Sequence, residues 1–172
     1  MSTPGFWSIL QPHKDLALLV ATTEQGVVQI ATLQNKNNQV EMLQSVLPEY
    51  SWTENKKGPY QQDAARQIIE YFKRKRHNFD LPLVLRGSEF QKHVWQNLIK
   101  IPYGELLSYG DLAAFIDKPR AARAVGGAVG KCDHLIVIPC HRVISGSGGI
   151  GGFGSCLGVK RILLEVEGHQ FK

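Results

Sequence analysis

One stretch near residue 140 restricts what this chain can fold into more than any other. The apolar run 135–138 predicts a buried strand or extended segment, and Pro139 ends it because proline lacks a backbone donor and has a fixed φ. Cys140, His141 and Arg142 follow directly. A cysteine at the end of a rigid element, beside two basic side chains, has surroundings that favour a reactive thiolate. A buried structural cysteine is the alternative interpretation of this motif alone.

The composition is that of a globular protein. Hydrophobic residues make up 43% and charged residues 20% of the 172 residues, and no apolar run approaches the ~20 residues that span a bilayer. The first residues lack a basic region followed by an apolar one, so we expect no secretory signal and a cytoplasmic location, or a nuclear one in a eukaryote. Three cysteines without a CxxC pair argue against a disulfide framework and a zinc ribbon.

The positive charge lies mainly in the second half of the chain. Residues 1–85 hold nine Lys/Arg and eight Asp/Glu, which gives +1, whereas residues 86–172 hold eleven and seven, which gives +4. The total of +5 suits a polyanionic partner, but such a charge is also common on proteins that bind none.

The first half of the sequence predicts a small strand-rich domain with one helix. Residues 62–76 predict the helix, with Ala65, Ile68, Ile69 and Phe72 on its apolar face. The polar segments 35–38 and 50–59 predict loops. We place the first domain at 1–80, a linker at 81–87 and the second domain at 88–172. The β-branched and aromatic runs predict strands at Phe6–Leu10, Asp15–Thr22 and Gly26–Leu33.

The second half predicts short helices. Ser88 is a good N-cap for a helix over 89–100, because its hydroxyl can accept a bond from the first turn. Helices over 108–116 and 120–129, joined by a tight turn, predict a helix-turn-helix. A last helix is predicted over 159–167.

The helix over 120–129 is dense in small residues. Glycine in a helix costs about 1 kcal/mol against alanine, so Gly126 and Gly127 indicate close approach of another helix or of a nucleic-acid backbone. Arg123 is the one long charged side chain in the middle of this surface. It either inserts into a duplex, as side chains of base-flipping proteins do, or is an ordinary surface arginine.

Glu167 lies near the end of the last predicted helix, where the helix dipole disfavours an acidic residue. This position indicates a task, such as accepting a hydrogen bond from His141. A solvated glutamate is the alternative.

Six motifs stand in a characteristic order in the second half, followed by Lys160, Leu163-Leu164 and Glu167. They are Phe90-Gln91 with Val94-Trp95, Ile101-Pro102-Tyr103-Gly104, Ser108-Tyr109-Gly110, Ala122-Arg123-Ala124-Val125-Gly126, Ile138-Pro139-Cys140-His141-Arg142-Val143 and Gly151-Gly152-Phe153. This set resembles the O6-alkylguanine-DNA alkyltransferases over residues 86–169, whereas residues 1–80 match only in length and strand-rich character. The resemblance implies an α/β protein, with a ribonuclease-H-like α/β roll followed by a mostly helical, winged-helix-like domain.

The resemblance also implies direct repair of double-stranded DNA by a monomer that needs no cofactor. The alkyl group of O6-alkylguanine, and of O4-alkylthymine, would pass irreversibly to Cys140 after the base is flipped out through the minor groove. His141 would act as the base toward Cys140 through a water, Glu167 would orient His141, and Tyr109 would stabilise the leaving guanine.

Further positions carry over from the family. Arg123 would fill the gap left by the flipped nucleotide, on a helix in the minor groove. Family members that bind zinc use ligands near the N-terminus, and no cysteine precedes Cys132, so no metal is expected. The other DNA-binding positions are Ser108, Ala122, Gly126 and Gly127. The substrate-pocket positions are Val143, Phe153, Gly154, Ser155 and Lys160.

The sequence departs from the family pattern at three places. Cys132-Asp133 stand where the family usually has asparagine and proline, and that asparagine normally holds a turn. Phe153 stands where tyrosine is common, and Ser155-Cys156 replace a segment that usually carries glycine. We therefore expect a changed turn at Cys132 and a changed substrate loop.

Three other functions compete with alkyl transfer. A damage binder that flips bases without reacting would bind DNA without consuming a thiol, although such relatives lack the cysteine. A cysteine hydrolase using Cys140 and His141 would turn over esters or amides, but the sequence shows no oxyanion motif. A helix-turn-helix regulator would leave Cys140, His141 and Glu167 without a task.

Overall fold

The computed structural model describes residues 1–33, 38–151 and 157–171, and the chain divides into two compact units, Met1–Leu85 and Arg86–Lys172. The expected α/β fold, with a sheet domain followed by a helical domain, is confirmed. Residues 82–84, placed in a linker by the sequence, pair with the first unit: Val27 N donates to Pro82 O at 2.8 Å and Val84 N donates to Val27 O at 2.9 Å.

The first unit is built on one four-stranded sheet. Its strands are β1 (Thr3–His13), β2 (Leu16–Thr23), β3 (Gly26–Thr32) and β4 (Tyr50–Glu54), in the order β3-β2-β1-β4. The three predicted strands form antiparallel pairs, with the hairpin between β2 and β3 closing at Thr23 and Gly26. The predicted loop at 50–59 is wrong in its first half, because β4 pairs parallel to β1, from Thr3 opposite Tyr50 to Trp7 opposite Glu54.

Two helices, α1 (Gln39–Val46) and α2 (Gln61–Phe72), complete the first unit. The predicted apolar face of α2 is rotated from the observed one, since Ala64, Ile68 and Tyr71 are fully buried. The helix also ends four residues earlier than predicted, and Arg74 beyond its end has a left-handed φ of 58°. A core cluster of this unit contains Trp7, Leu19, Ala21, Val28, Leu43, Leu47, Tyr50 and Trp52.

The second unit is mainly helical. Its elements are α3 (Glu89–Leu98), β5 (Leu107–Ser108), α4 (Tyr109–Phe115), α5 (Ala122–Gly130), a 3-10 helix (Cys140–Arg142), β6 (Val143–Ile144) and α6 (Leu157–Val166). The predicted Ser88 cap is present, because Gln91 N donates to Ser88 Oγ at 3.2 Å. Ser108, which the sequence places at the start of the next helix, is also an N-cap, because Asp111 N donates to its Oγ at 3.0 Å. The helix-turn-helix formed by α4 and α5 is present, although Phe115 at the end of α4 is exposed.

The apolar run 135–138 forms turns rather than the predicted strand or extended segment. Ile138 N donates to His134 O at 2.9 Å, Val137 N donates to Leu135 O at 2.9 Å, and Ile136 has a φ of 75°. The whole run is buried. The apolar character of this run therefore reflects its burial, because an apolar segment can be buried equally well as turns or as a strand.

A short parallel pairing between β5 and β6 positions two residues of the predicted site, Tyr109 and Cys140. Leu107 lies opposite Val143 and Ser108 lies opposite Ile144. Because Tyr109 follows β5 and the 3-10 helix precedes β6, this pairing brings the first turn of α4 close to Cys140.

Within the described ranges, no helix has both the length and the apolar character needed to span a bilayer.

Candidate active site

Cys140 opens a single 3-10 turn that is sealed from solvent. Its N–H donates to Ile138 O at 2.8 Å, and Arg142 N donates to Pro139 O at 3.0 Å. The exposed fraction is 3% for Cys140 and 0% for His141. Pro139 thus marks the start of the turn that presents the cysteine, as the sequence indicated.

The carboxylate of Glu167 lies at the centre of the buried hydrogen-bond network around this turn. The Nε2–H of His141 donates to Glu167 Oε1 at 2.7 Å. Arg142 donates from Nη2 to Oε1 and from Nε to Oε2, both at 2.9 Å, and Gly104 N donates to Oε2 at 3.0 Å. The predicted contact between His141 and Glu167 is therefore present, and Glu167 is not solvated.

Arg142 itself is held on several sides. Its Nη1 donates to Ile101 O at 2.5 Å, and its guanidinium carbon lies 5.7 Å from the centre of the Tyr103 ring. The Tyr103 hydroxyl donates to Val166 O at 3.0 Å. The Ile101-Pro102-Tyr103-Gly104 motif, which the sequence offered only as part of the family pattern, therefore anchors both Arg142 and Glu167.

The network fixes the charge states of its members. Burial by itself raises the pKa of Glu167, but hydrogen bonds from His141 and Arg142 outweigh it and hold the pKa far below its usual range. Burial lowers the pKa of His141 more than the Glu167 carboxylate raises it. At neutral pH, Glu167 is therefore ionised and His141 is neutral. With its Nε2–H directed at the carboxylate, the neutral ring has its basic nitrogen at Nδ1.

Cys140 has an environment that favours the thiolate. The side chain of Cys132 hydrogen-bonds the Cys140 sulfur and lowers its pKa; burial opposes this, and the N–H groups of Cys140 and His141 and the charge of Lys160 add to the lowering. The pKa of Cys132 is raised well above its usual value, first by the same hydrogen bond and then by burial. Cys140 is thus the member of the pair that loses its proton first.

Lys160 lies on α6 with an exposed fraction of 0%. Its Nζ donates to Val143 O at 2.6 Å. Burial lowers the pKa of Lys160 to about 8, although a negative charge on Cys140 raises it. The cation consequently lies beside the sulfur and engages the carbonyl of Val143, another predicted pocket residue.

Tyr109 starts α4 and is half-buried. Burial raises its pKa, and the charge of Cys140 raises it further. The phenol therefore keeps its proton at neutral pH and is available as a donor. A Cβ on Gly126 would lie 3.5 Å from Cδ1 of the Tyr109 ring, so this glycine faces α4.

The predicted DNA-binding residues are divided between two environments. Arg123 and Gly127 are exposed on α5, and a Cβ on Gly127 would meet nothing within 4 Å. Ala122 is half-buried. Ser108 is also half-buried, and its hydroxyl caps α4. Three predicted pocket residues, Phe153, Gly154 and Ser155, lie outside the described residues, as does Cys156.

Sequence reasoning missed two parts of this site. It did not assign a role to Arg142, which is itself buried and, as a buried charge, requires a partner. It also treated Cys132 only as a departure from a family pattern.

Among the residues at 1–33, 38–151 and 157–171, no group of three or more His, Cys, Asp or Glu side chains is arranged to hold a metal ion.

Two family profiles match nearly all of the chain. Residues 17–85 match the ribonuclease-like domain of 6-O-methylguanine DNA methyltransferase, and residues 89–169 match its DNA-binding domain. The methylated-DNA--protein-cysteine methyltransferase of Methanosarcina barkeri is 41% identical over 90% of this chain and 92% of its own length. The chain belongs to the 6-O-methylguanine DNA methyltransferase family. The inducible methylated-DNA--protein-cysteine methyltransferase of Bacillus subtilis is 39% identical over 94% of this chain and 89% of its own.

Solved structures of this methyltransferase family have the same fold. The O6-methylguanine methyltransferase of Mycobacterium tuberculosis matches with a TM-score of 0.79 and 35% identity, over 95% of this chain and 92% of that one. The same organism's OGT in complex with DNA matches with a TM-score of 0.77 and 35% identity, over 96% and 92% of the two chains. The resemblance found in the sequence is thereby confirmed, and it extends into residues 17–85.

Proposed function

We propose that this protein repairs alkylated DNA by moving the alkyl group of O6-alkylguanine in double-stranded DNA to its own Cys140. The observation that carries the proposal is the buried Cys140 sulfur, with its lowered pKa, next to the His141–Glu167 pair. Membership of the methyltransferase family supports the same chemistry. O4-alkylthymine is a second substrate, because it too carries its alkyl group on an exocyclic oxygen next to a ring nitrogen.

The reaction divides into proton transfer and displacement. Neutral His141 accepts the thiol proton through a water, and the Glu167 carboxylate stabilises the imidazolium that forms. The Cys140 thiolate then attacks the alkyl carbon, a C–S bond forms, and the C–O6 bond breaks with its electron pair on the guanine oxygen. Tyr109 donates a hydrogen bond or proton to the guanine as it leaves.

The product limits each molecule to one reaction. A thioether has no ionisable proton, and water does not displace a thiolate from its alkyl carbon, so Cys140 is not regenerated. One monomer therefore repairs one lesion. No step requires a cofactor, because the substrate supplies the alkyl group and the protein supplies the nucleophile.

DNA is held by the second unit, which carries a charge of +4 over residues 86–172. The exposed face of α5 presents Arg123 and Gly127, so that the helix can lie in the minor groove with its arginine in the space left by a flipped base. Contacts of this kind are mainly with phosphates, so binding should be weakly sequence-specific and weaken as salt rises.

The direct test is stoichiometry. A duplex with one O6-methylguanine is titrated with increasing protein, and restored guanine is counted after digestion. The proposal predicts one guanine restored per protein molecule and none with Cys140→Ser. Restoration beyond one per molecule would exclude an irreversible acceptor, and tight lesion binding without restoration would identify a damage binder.

A further inference from the structure

The last helix of the second unit, α6, ends in a tight reversal directly after Glu167. Gly168 has a left-handed φ of 92°, and its N–H donates to Glu165 O at 3.1 Å. The N–H of His169 donates to Leu164 O at 2.8 Å. These two bonds and this φ form a Schellman motif, in which Glu167 is the C-cap and His169 is the second residue beyond it. The helix end therefore fixes the position of His169 relative to Glu167.

His169 and Glu167 both bind Gly104, through the two polar groups of its backbone. The N–H of Gly104 donates to Glu167 Oε2 at 3.0 Å. Nε2 of His169 lies 2.8 Å from Gly104 O. A carbonyl oxygen only accepts, so the hydrogen of this bond lies on Nε2 and the imidazole of His169 is the donor. The two side chains thus hold Gly104 from its N–H and from its carbonyl at the same time.

Further contacts hold this end of the chain in place. The Tyr103 hydroxyl donates to Val166 O at 3.0 Å. Arg161 donates from Nη1 to the carbonyl of Phe171. The ring centroids of His169 and Phe171 lie 6.5 Å apart. Since His169 is only half-buried, we infer that directed bonds rather than core packing determine its position.

The bond from Gly104 acts on the carboxylate that orients the histidine base. The Nε2–H of His141 donates to Glu167 Oε1 at 2.7 Å, and the N–H of Gly104 binds the other oxygen, Oε2. The terminal torsion of a glutamate side chain is broad, so the direction of Oε1 depends on what holds Oε2. Arg142 shares this task, since its Nε donates to Oε2 at 2.9 Å. A shift of Gly104 would leave the plane of the carboxylate, and with it the His141 ring, less well fixed.

We propose that His169 is a positioning residue for the reaction of Cys140. Its Nε2–H holds the Gly104 carbonyl, and the N–H of the same glycine then keeps the Glu167 carboxylate aligned with His141. This role rests on the proposed alkyl transfer to Cys140. His169 acts through Gly104 and Glu167 and not on the reacting atoms.

Loss of the His169 donor should slow methyl transfer moderately. Losing one typical hydrogen bond, if the loss is felt fully in the transition state, slows a reaction about fivefold. The ion pair of Arg142 with Glu167 remains, so the effect should stay well below the loss of about a hundredfold or more expected when the carboxylate itself is removed. Because His169 acts through Glu167, its removal should matter little once that carboxylate has been replaced.

The experiment compares three substitutions of His169 in single-turnover methyl transfer from a methylated duplex at saturating DNA. His169→Phe removes the donor and keeps a ring, His169→Ala removes both, and His169→Gln keeps an N–H at a similar reach. Gln170→Ala, at the exposed neighbouring position, is the control. Circular dichroism melts define a temperature at which every variant is folded. The proposal predicts rates about fivefold below wild type for His169→Phe and His169→Ala, with His169→Gln and Gln170→Ala within about twofold of wild type.

A double-mutant cycle separates positioning from a general loss of structure. In the Glu167→Gln background, His169→Phe should slow transfer by less than about twofold, since the carboxylate through which His169 acts is already gone. Equal slowing in both backgrounds would overturn the proposal, because the effect would then bypass Glu167. Wild-type rates for His169→Phe or His169→Ala would overturn it too, as would a rate for His169→Gln as low as that for His169→Ala.

A second readout tests the positioning separately from the alkyl transfer. Wild-type protein that leaves methylated DNA unchanged would refute the proposed function. The Nε2–H of His141 is then followed by NMR in protein carrying isotopically labelled histidine. Exchange of this hydrogen with solvent that is faster in His169→Phe than in His169→Gln would support the positioning role. Equal exchange in wild type and both variants would overturn it.

Discussion

Replacing Glu167 by glutamine tests the network that holds the active site together. The substitution keeps the shape of the side chain but removes its charge and one acceptor. Four donors from three residues converge on the carboxylate: Nε2 of His141, Nε and Nη2 of Arg142, and N of Gly104. Either orientation of the amide points an N–H at some of these donors, and the guanidinium of Arg142 loses its buried counter-ion.

The expected loss of stability is large for a substitution that keeps the side-chain shape. The Arg142 and Glu167 side chains have exposed fractions of 5% and 0%, so solvent screens them little. Removing one partner of such a buried pair costs about 3–5 kcal/mol. For a protein of this size, that corresponds to a melting temperature lower by roughly 10 °C. Glu165→Gln, the same change at an exposed position near the end of α6, should stay within about 0.5 kcal/mol of wild type.

The same variant should slow chemistry. Without the carboxylate, His141 loses the partner that orients its ring and stabilises its protonated form. General-base catalysis typically contributes a factor of about 10²–10⁴. We expect methyl transfer by folded Glu167→Gln, measured well below its melting temperature, to fall at least about a hundredfold.

The pH dependence of stability gives a second signature. The pKa of Glu167 is depressed in the folded state, so its contribution is fully present above its unfolded pKa of about 4.3. It is lost as the pH falls below that value through the folded pKa. The gap in stability between wild type and Glu167→Gln should thus shrink below about pH 4. A melting difference under about 2 °C at pH 7, or a gap that stays unchanged at pH 3, would refute this account of the network.

Three further substitutions test separate parts of the site. Arg123→Ala should slow repair of duplex DNA more than reaction with free O6-benzylguanine, because a free base needs no flipping; equal slowing in both assays would contradict the role of Arg123. Tyr109→Phe should reduce the transfer rate about tenfold or more at unchanged thiol reactivity, since only the donor to the leaving guanine is lost; an unchanged rate would remove Tyr109 from the chemistry. Lys160→Met removes a buried ammonium whose pKa is about 8 when folded and about 10.5 when unfolded. The stability of wild type relative to the variant should therefore rise by about 2–3 kcal/mol between pH 8 and 10. A difference in stability that stays constant over this range in denaturant melts would contradict the burial of the Lys160 charge.

Local signals in the sequence predicted much of the fold. Ser88 was predicted as a helix cap because capping depends on residues within one turn. The strands β1, β2 and β3 were predicted for the same reason, because their β-branched and aromatic runs consist of residues adjacent in the chain. Element ends were less accurate, and the left-handed conformation of Arg74 past the end of α2 has no clear sequence signal.

Features decided by distant contacts could not be predicted in this way. Residues 50–54 look polar, yet they form β4 because β1 offers a parallel edge more than forty residues earlier in the chain. The run 135–138 signalled burial correctly but not its conformation, since apolar turns and apolar strands have the same composition.

In the candidate site, too, some residues could be predicted from sequence motifs, whereas others depend on distant contacts. Family motifs supplied Cys140, His141 and Glu167 as expected site residues. The ion pair of Arg142 with Glu167 spans 25 residues and depends on how α6 packs against the 3-10 helix. The effect of Cys132 on the pKa of Cys140 likewise depends on the turns at 134–138, which the apolar sequence does not predict. Both required the three-dimensional arrangement.

The central claim is that Cys140 is the alkyl acceptor, and intact-protein mass spectrometry tests it most directly. The protein is mixed with an excess of duplex containing one O6-methylguanine, and its mass is followed, with peptide mapping to locate any added group; Cys140→Ser is run in parallel. The account predicts a gain of one methyl group, located on Cys140, absent from the variant and unchanged by longer incubation. An unchanged mass, or a methyl group on Cys132 or Cys156, would contradict it.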